Sequence, residues 1–245
     1  MSVSRTVISG LLLDVDDTLM DTRAAMVAAG TAAVAELWPD AGAQVHHDAA
    51  VHFQGDPQGF FHRLTSGELG FAQMRRARVA DLLEFFSLRA MDDVRRRFED
   101  AYAPAFSANV RVFDDVVPLI GVVSAAGIPM GLLINSSSSY TRQKLEITGL
   151  ASAFAAVTTR DTLGFGKPDA RAFHHACRLL RSAPADTTYV GDDIEIDALA
   201  ARDAGLSAVW LQREPGDSHG ACRARARGIL VIRSLSQVPA LWARR

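Results

Sequence analysis

The sequence predicts an α/β protein, a doubly wound, Rossmann-like parallel sheet with an inserted all-helical unit. Three observations predict it. Apolar strand-length runs alternate with helix-length segments through the C-terminal half, as repeated strand–helix units require. From about Thr22 to Phe106 apolar residues recur only at three- and four-residue spacing. Leu11-Leu12-Leu13 ends abruptly in Asp14, Asp16 and Asp17, which reads as a buried strand carrying charge at its C-terminal end.

Each element has its own signal. Val7 to Leu13 is the first strand, by its apolar run. Ala24 to Trp38 is alanine-rich and helical in spacing. Phe60, Leu64, Phe71, Met74, Val79, Leu82 and Phe86 continue the helical period. Asp115–Ala126 is a helix stopped by Gly127, and Ile128–Ile134 an apolar strand. Ser138–Thr148 is a helix ended by Gly149. Ala155–Thr158 is a short strand, and Asp169–Arg181 a helix opened after Pro168. Thr187–Val190 is a strand closed by Gly191, and Ile194–Ala204 a helix capped by Gly205. Ser207–Leu211 and Ile229–Ile232 are strands, and Ser236–Ala243 is a final helix. The expected division is a core of residues 1–21 and 107–245, with residues 22–106 as the helical insert. Met20–Arg23 and Pro104–Arg111 are its expected crossings.

The chain has 245 residues, enough for one large domain or two modest ones. Its 26 basic and 28 acidic side chains nearly cancel, and no basic run suggests a nucleic-acid surface. Cys177 and Cys222 are too few for a disulfide framework, so a reducing, cytoplasmic setting is expected. Met1–Arg5 lacks a secretory apolar region, and no run has transmembrane length.

In open α/β sheets, ligands bind at the C-terminal edge of the strands. Asp14 and Asp16, two apart, point to one side of an extended chain. Crowded carboxylates repel unless a cation sits among them, and Mg²⁺ suits oxygen ligands. Asp14 can attack an electrophile while Asp16 moves a proton. Gly164-Phe165-Gly166-Lys167-Pro168 offers a fixed positive charge for an anionic group. Gly191-Asp192 follows an apolar strand directly, and Asp192 is placed to share a metal with Asp14. Two carboxylate arms, a lysine and a glycine-rich edge suit phosphoryl transfer.

Asp14-Val15-Asp16-Asp17-Thr18-Leu19, Lys167-Pro168 and Gly191-Asp192 with Asp197 resemble, in order and spacing, three motifs of the haloacid dehalogenase superfamily. The resemblance covers nearly the whole chain. It implies that Asp14 is a nucleophile forming an aspartyl-phosphate and Asp16 the general acid/base. It implies that Lys167 holds phosphate and nucleophile together. Asp14, the Asp16 carbonyl and Asp192 would bind Mg²⁺, with Asp197 in support. The insert resembles the family's helical cap. A carboxyl at position 16 favours phosphate esters over carbon–halogen bonds.

One position departs from the family pattern. Its second motif has Ser or Thr where this chain has Ile134, which donates no hydrogen bond. Phosphate then falls to Ser136 or the Asn135 backbone amide, or the chain turns over weakly or not at all. The expected substrate is a small phosphorylated metabolite, with neither nucleic acid nor membrane as partner. The rivals to hydrolysis are phosphomutase chemistry and non-catalytic phospholigand binding.

Other candidates have plainer readings. His46-His47 and His174-His175 read as surface pairs without a third metal ligand. Arg75, Arg76 and Arg78 read as a solvated helix face, with a substrate's second anion as the alternative. Phe53, Gln54, Phe60 and Arg63 could line a pocket, although packing explains the aromatics equally. Asp17 reads as a turn residue and Cys177 as buried. Asp193 and Glu195 stay open between metal contact and solvated helix-start acids. Arg244-Arg245 reads as a frayed end.

Overall fold

A computed structural model describes residues 9–214 and 216–243. Val7, Ile8 and the Arg244-Arg245 pair lie outside the described residues. In chain order, β1 (Gly10–Leu13) is followed by α1 (Thr22–Leu37), α2 (Ala43–Gly55), α3 (Phe60–Thr65), α4 (Phe71–Phe85) and α5 (Val94–Asn109). Then come α6 (Val116–Ala125), β2 (Met130–Ile134), α7 (Ser138–Ile147), β3 (Ala156–Thr159), α8 (Arg160–Leu163) and α9 (Ala170–Leu179). The chain closes with β4 (Thr187–Gly191), α10 (Ala200–Asp203), β5 (Ser207–Leu211), α11 (Ser218–Ala226), β6 (Leu230–Ile232) and α12 (Val238–Ala243).

The six strands are all parallel, in the order β3-β2-β1-β4-β5-β6. The chain runs outward from β1 in one direction, then returns to β4 and runs outward in the other. The crevice at the β1/β4 switch point is where such sheets bind ligands. β1, β2 and β4 are buried along their whole length, as the apolar runs require. The edge strands β3 and β6 are partly exposed. Leu12, Leu133 and Tyr189 pack with α9, α10 and α11 in one apolar cluster. From Ile128 onward the expected elements occur to within about two residues, the usual fuzziness of element ends.

Two local results differ from expectation. Periodicity predicts no element between Leu211 and Ile229, yet α11 forms there. Asp217 caps it, accepting from the Gly220 amide at 2.7 Å. It buries only Gly220 and Ala224, so it has no apolar stripe to announce it. The start of the expected 194–204 helix is wound as a π-helix over Ile194–Leu199, with Asp193 accepting from the Glu195 and Ile196 amides.

Contacts divide the chain into Met1–Met20 with Val112–Arg245, and Asp21–Arg111. The second unit is entirely helical among its described elements. α1, α2, α4 and α5 enclose Ala29, Ala33, Val34, Phe53, Val79, Leu82 and Phe98. Phe98, Tyr102 and Phe106 stack in succession along α5, with ring centroids 5.7 and 6.0 Å apart.

The arginines here correct the solvated-face reading. Arg75 is buried and donates to both oxygens of Glu99, at 2.8 and 3.0 Å, with its guanidinium over Phe53 and Tyr102. Arg78 is buried too and donates to the Phe53 and Gln54 carbonyls, a cation at the C-terminal end of α2. Arg76 is exposed as expected. Phe53 belongs to the core. His46 is also a correction: it is buried, with Nε2 2.8 Å from the Trp38 carbonyl, while His47 is exposed. In the first unit, His174 is half-buried and meets the Ala204 carbonyl at 2.8 Å. None of these four histidines belongs to a metal-ligand cluster among the described residues.

Candidate active site

The site is built where β1 and β4 end. The Asp14 amide donates to the Val190 carbonyl at 2.9 Å, so Asp14 prolongs the strand pairing by one residue. The chain then turns sharply. Leu19 and Met20 both donate to the Val15 carbonyl, and Asp17 adopts a left-handed φ of 56°, as suits a turn residue.

Lys167 is fixed through its own backbone. The Asn135 carboxamide, just past β2, accepts from the Lys167 amide and donates to the Lys167 carbonyl, each at 2.8 Å. Only glycine fits beside this clamp, because a Cβ on Gly166 would lie 2.3 Å from Asn135 Oδ1. The side chain, 2% exposed, then reaches inward. Nζ donates to Asp14 Oδ1 at 2.6 Å, to Asp197 Oδ1 at 2.6 Å and to Tyr189 Oη at 2.9 Å.

Asp197 arrives from the π-helical turn. Its Oδ2 accepts from the Asp193 amide at 3.1 Å, and its Oδ1 accepts from Tyr189 Oη at 2.8 Å. The carboxylate lies directly over Gly191, where a Cβ would come within 2.4 Å of it. Gly191 is therefore required for close approach, in addition to closing β4. Trp210 Nε1 donates to the Asp192 carbonyl at 2.7 Å and steadies that loop. One carboxylate oxygen each from Asp14, Asp192 and Asp197 falls within 4.8 Å of the others.

Asp16 sits close enough to Asp14 to repel its charge, and it is bonded to Lys144 Nζ at 2.5 Å. Lys144 is buried on α7 beside Thr141 and Leu145. Four carboxylates thus face two ammonium groups. Burial raises the Asp14 carboxyl from 3.8 to about 7; Lys167 opposes this, and Asp197 and Asp16 add to it. Burial alone would lower the Lys167 ammonium, but Asp14 and Asp197 outweigh it and hold the group above the ordinary lysine value.

The structure thus brings Asp14, Asp16, Lys167 and Asp192 to one rim of the sheet. Ser136, next in the chain after the Asn135 clamp, is half-buried, and its carbonyl accepts from the Arg160 amide at 3.3 Å. Ile134 is buried at the end of β2, paired in register with Thr159. Asp193 serves as a helix cap, and Glu195 pairs with Arg223. Cys177 is buried and Cys222 exposed.

Sequence reasoning missed three residues. Tyr189 reads only as a strand aromatic. Asp161 accepts from the Ser138 amide and hydroxyl and from the Thr159 hydroxyl, tying the start of α7 to α8 and the end of β3. Lys144 did leave a signal: a charge at the helical spacing of the buried Thr141 and Leu145.

The family model for haloacid dehalogenase-like hydrolases matches residues 8–205. A phosphoglycolate phosphatase of Agrobacterium fabrum is 31% identical over 206 residues, 82% of this chain and 78% of that one. A phosphoserine phosphatase of Thermus thermophilus is 39% identical over 87 residues, 36% of this chain. That match spans about a third of the relative, 35% of its length. Among solved structures, the magnesium-bound HAD-hydrolase YfnB of Bacillus subtilis shares the fold. Its TM-score is 0.77 at 20% identity, covering 96% of this chain and 99% of that one. A 2-haloacid dehalogenase of Pseudomonas syringae scores 0.60 at 25% identity, over 97% and 99% of the two chains. With its three acidic and basic segments meeting at one sheet edge, the chain belongs to the haloacid dehalogenase-like hydrolases.

Proposed function

We propose that the protein is a Mg²⁺-dependent phosphatase acting on a small phosphate monoester through an aspartyl-phosphate on Asp14. The observation that carries this reading is the asymmetric hold on Asp14. Lys167 binds Oδ1 at 2.6 Å, which orients Oδ2 as the attacking oxygen. Oδ2 attacks phosphorus and the ester P–O bond breaks. Asp16, protonated, gives its proton to the leaving oxygen. Asp16 then takes a proton from the water that attacks the phosphorus of the aspartyl-phosphate. The Asp14–phosphorus bond breaks, and phosphate leaves.

The donor set fits a hard divalent cation: all-oxygen, carboxylate-rich, and in excess over the nearby ammonium groups. Asp14, Asp192 and the Asp16 carbonyl would hold Mg²⁺, with Asp197 behind them. Bound there, Mg²⁺ supplies charge neutralisation for the phosphoryl oxygens. The Asn135 carboxamide is already committed to the Lys167 backbone, so the phosphate contact assigned to Asn135 falls to its main-chain amide. Ser136 is the second donor assigned there. Substrate choice is assigned to the helical unit Asp21–Arg111. The names of the Agrobacterium and Thermus relatives support small phosphorylated carboxylates as the first substrates to try.

The test is phosphate release across a panel of phosphorylated metabolites, with Mg²⁺ and with chelator. Metal-dependent release that Asp14→Asn abolishes is expected. A product isomer without free phosphate points instead to a mutase. Ile134 favours one other reading, a phospholigand binder without turnover. Phosphate binding with no hydrolysis of any panel member would establish that reading instead.

A further inference from the structure

We propose that Tyr189 is a positioning residue for Lys167: it holds the third ammonium proton in the free protein and cedes it to a phosphoryl oxygen when phosphate binds. This rests on the phosphatase reading only in placing phosphate beside Asp14. An ammonium group has three protons to donate. All three are spent inside the protein, on Asp14 Oδ1, Asp197 Oδ1 and Tyr189 Oη. Lys167 therefore reaches a phosphoryl oxygen only by giving one of them up.

The three partners are unequal. Two are carboxylates at 2.6 Å, and the third is a neutral phenol at 2.9 Å. All three bonds share the charged donor, but only the two carboxylates add an opposite charge and the shorter distance, so the phenol is the partner exchanged. The exchange leaves no donor stranded. Tyr189 Oη goes on donating its own hydrogen bond to Asp197 Oδ1 at 2.8 Å, with the Leu133 carbonyl at 3.3 Å as a second acceptor. Lys167's departure empties only a lone pair, whereas losing either carboxylate would strand a buried charge. The ring itself stays in place: it is fully buried on β4, edge-on to Phe173 at 5.1 Å. Ile134 makes the ceded proton count for more, because no hydroxyl donates from that position.

The experiment is calorimetric titration of inorganic phosphate into the Mg²⁺-loaded protein, wild type against Tyr189→Phe. Without the phenol oxygen, the third N–H has no rival acceptor. Phosphate should bind about three- to tenfold more tightly, the net worth of one competing hydrogen bond. The inhibition constant of phosphate against p-nitrophenyl phosphate should fall by the same factor. A purely structural tyrosine would lower the melting temperature without moving phosphate affinity, so unchanged or weaker binding in a folded Tyr189→Phe overturns the proposal. Tyr189→Met, which also removes the phenol oxygen, is the second variant and should show the same tightening. A wild type that binds phosphate but hydrolyses no ester overturns the phosphatase reading alone. A wild type that binds no phosphate overturns both.

Discussion

Both units of this chain bury charge, and they differ in how that charge is balanced. In Asp21–Arg111, buried arginines are matched. Arg75 meets Glu99 through two hydrogen bonds, and Arg78 meets the carbonyl end of α2 with Asp56 at 3.7 Å. Aromatic faces of Phe53 and Tyr102 cover the guanidinium planes. The sheet unit instead gathers Asp14, Asp16, Asp192 and Asp197 around Lys167 and Lys144. The carboxylates outnumber the ammonium groups, and burial, with the Asp197 and Asp16 charges adding to it, pushes the Asp14 carboxyl up to about 7 against the pull of Lys167. Arginines paired under aromatic rings mark scaffold here, and carboxylates crowded at the strand ends mark the candidate site.

The strongest attempt to break this contrast is Asp14→Asn. Its shape is almost unchanged and one negative charge is lost from the surplus. Turnover should fall by at least about 10⁴-fold, because the amide is a poor nucleophile. The melting temperature should hold or rise, since the cluster is relieved of repulsion. Retained turnover, measured as phosphate release, would defeat both the role of Asp14 and the contrast.

Metal and pH sharpen the same point. The folded Asp14 carboxyl is raised to about 7, above its ordinary 3.8. Between those values the folded state keeps a proton that the unfolded chain has released. The metal-free fold therefore loses stability as pH climbs through this window. Mg²⁺ needs the ionised carboxylate, so it competes with that proton. Melting curves with millimolar Mg²⁺ should show a larger gain near pH 8 than near pH 5.5. An equal gain at both would mean the cation binds elsewhere. Chelator should abolish phosphate release without unfolding the protein.

In the matched unit, the expected loss is in stability. Glu99→Ala leaves the Arg75 guanidinium buried without its carboxylate, and should cost about 2 kcal/mol by urea unfolding. The pair is partly exposed on the glutamate side, which keeps the cost below that of a fully buried pair. A loss under about 0.5 kcal/mol, the range of ordinary surface substitutions, would show that the hydrogen bond to Tyr102 and the aromatic faces hold Arg75 without Glu99.

The sequence was most legible where periodicity and motif coincide. The central strands announce themselves as unbroken apolar runs, and Asp14, Lys167 and Asp192 each stand at the end of one strand–loop unit. Partners chosen by tertiary packing were illegible. Tyr189 looks like any strand aromatic until Asp197 is folded over Gly191. Asp197 gets there because the 194–199 turn is π-helical, which no spacing rule marks. Arg75 and Arg78 look solvated because a helix wheel cannot show Glu99 arriving from another helix. Lys144 stood at a buried helical position, and its partner Asp16 lies 128 residues away.

The smallest expected effect is the most informative about the site's own history of change. Ile134 is 2% exposed at the end of β2, one residue before the Asn135 clamp on Lys167. Ile134→Thr installs a hydroxyl next to that clamp while removing apolar bulk from a packed strand. Stability should fall by about 1–2 kcal/mol, the usual cost of trimming a core isoleucine and burying a hydroxyl. Phosphate release should rise about tenfold, less than the 10² or more lost when a preorganised donor is deleted elsewhere, since this donor arrives without evolved support. A rate that stays flat would mean that Ser136, the Asn135 amide and the third Lys167 proton already saturate the phosphoryl oxygens. Combining Ile134→Thr with Tyr189→Phe then separates the cases. Gains that multiply mean two independent donors, and a shared ceiling means that both act on one oxygen.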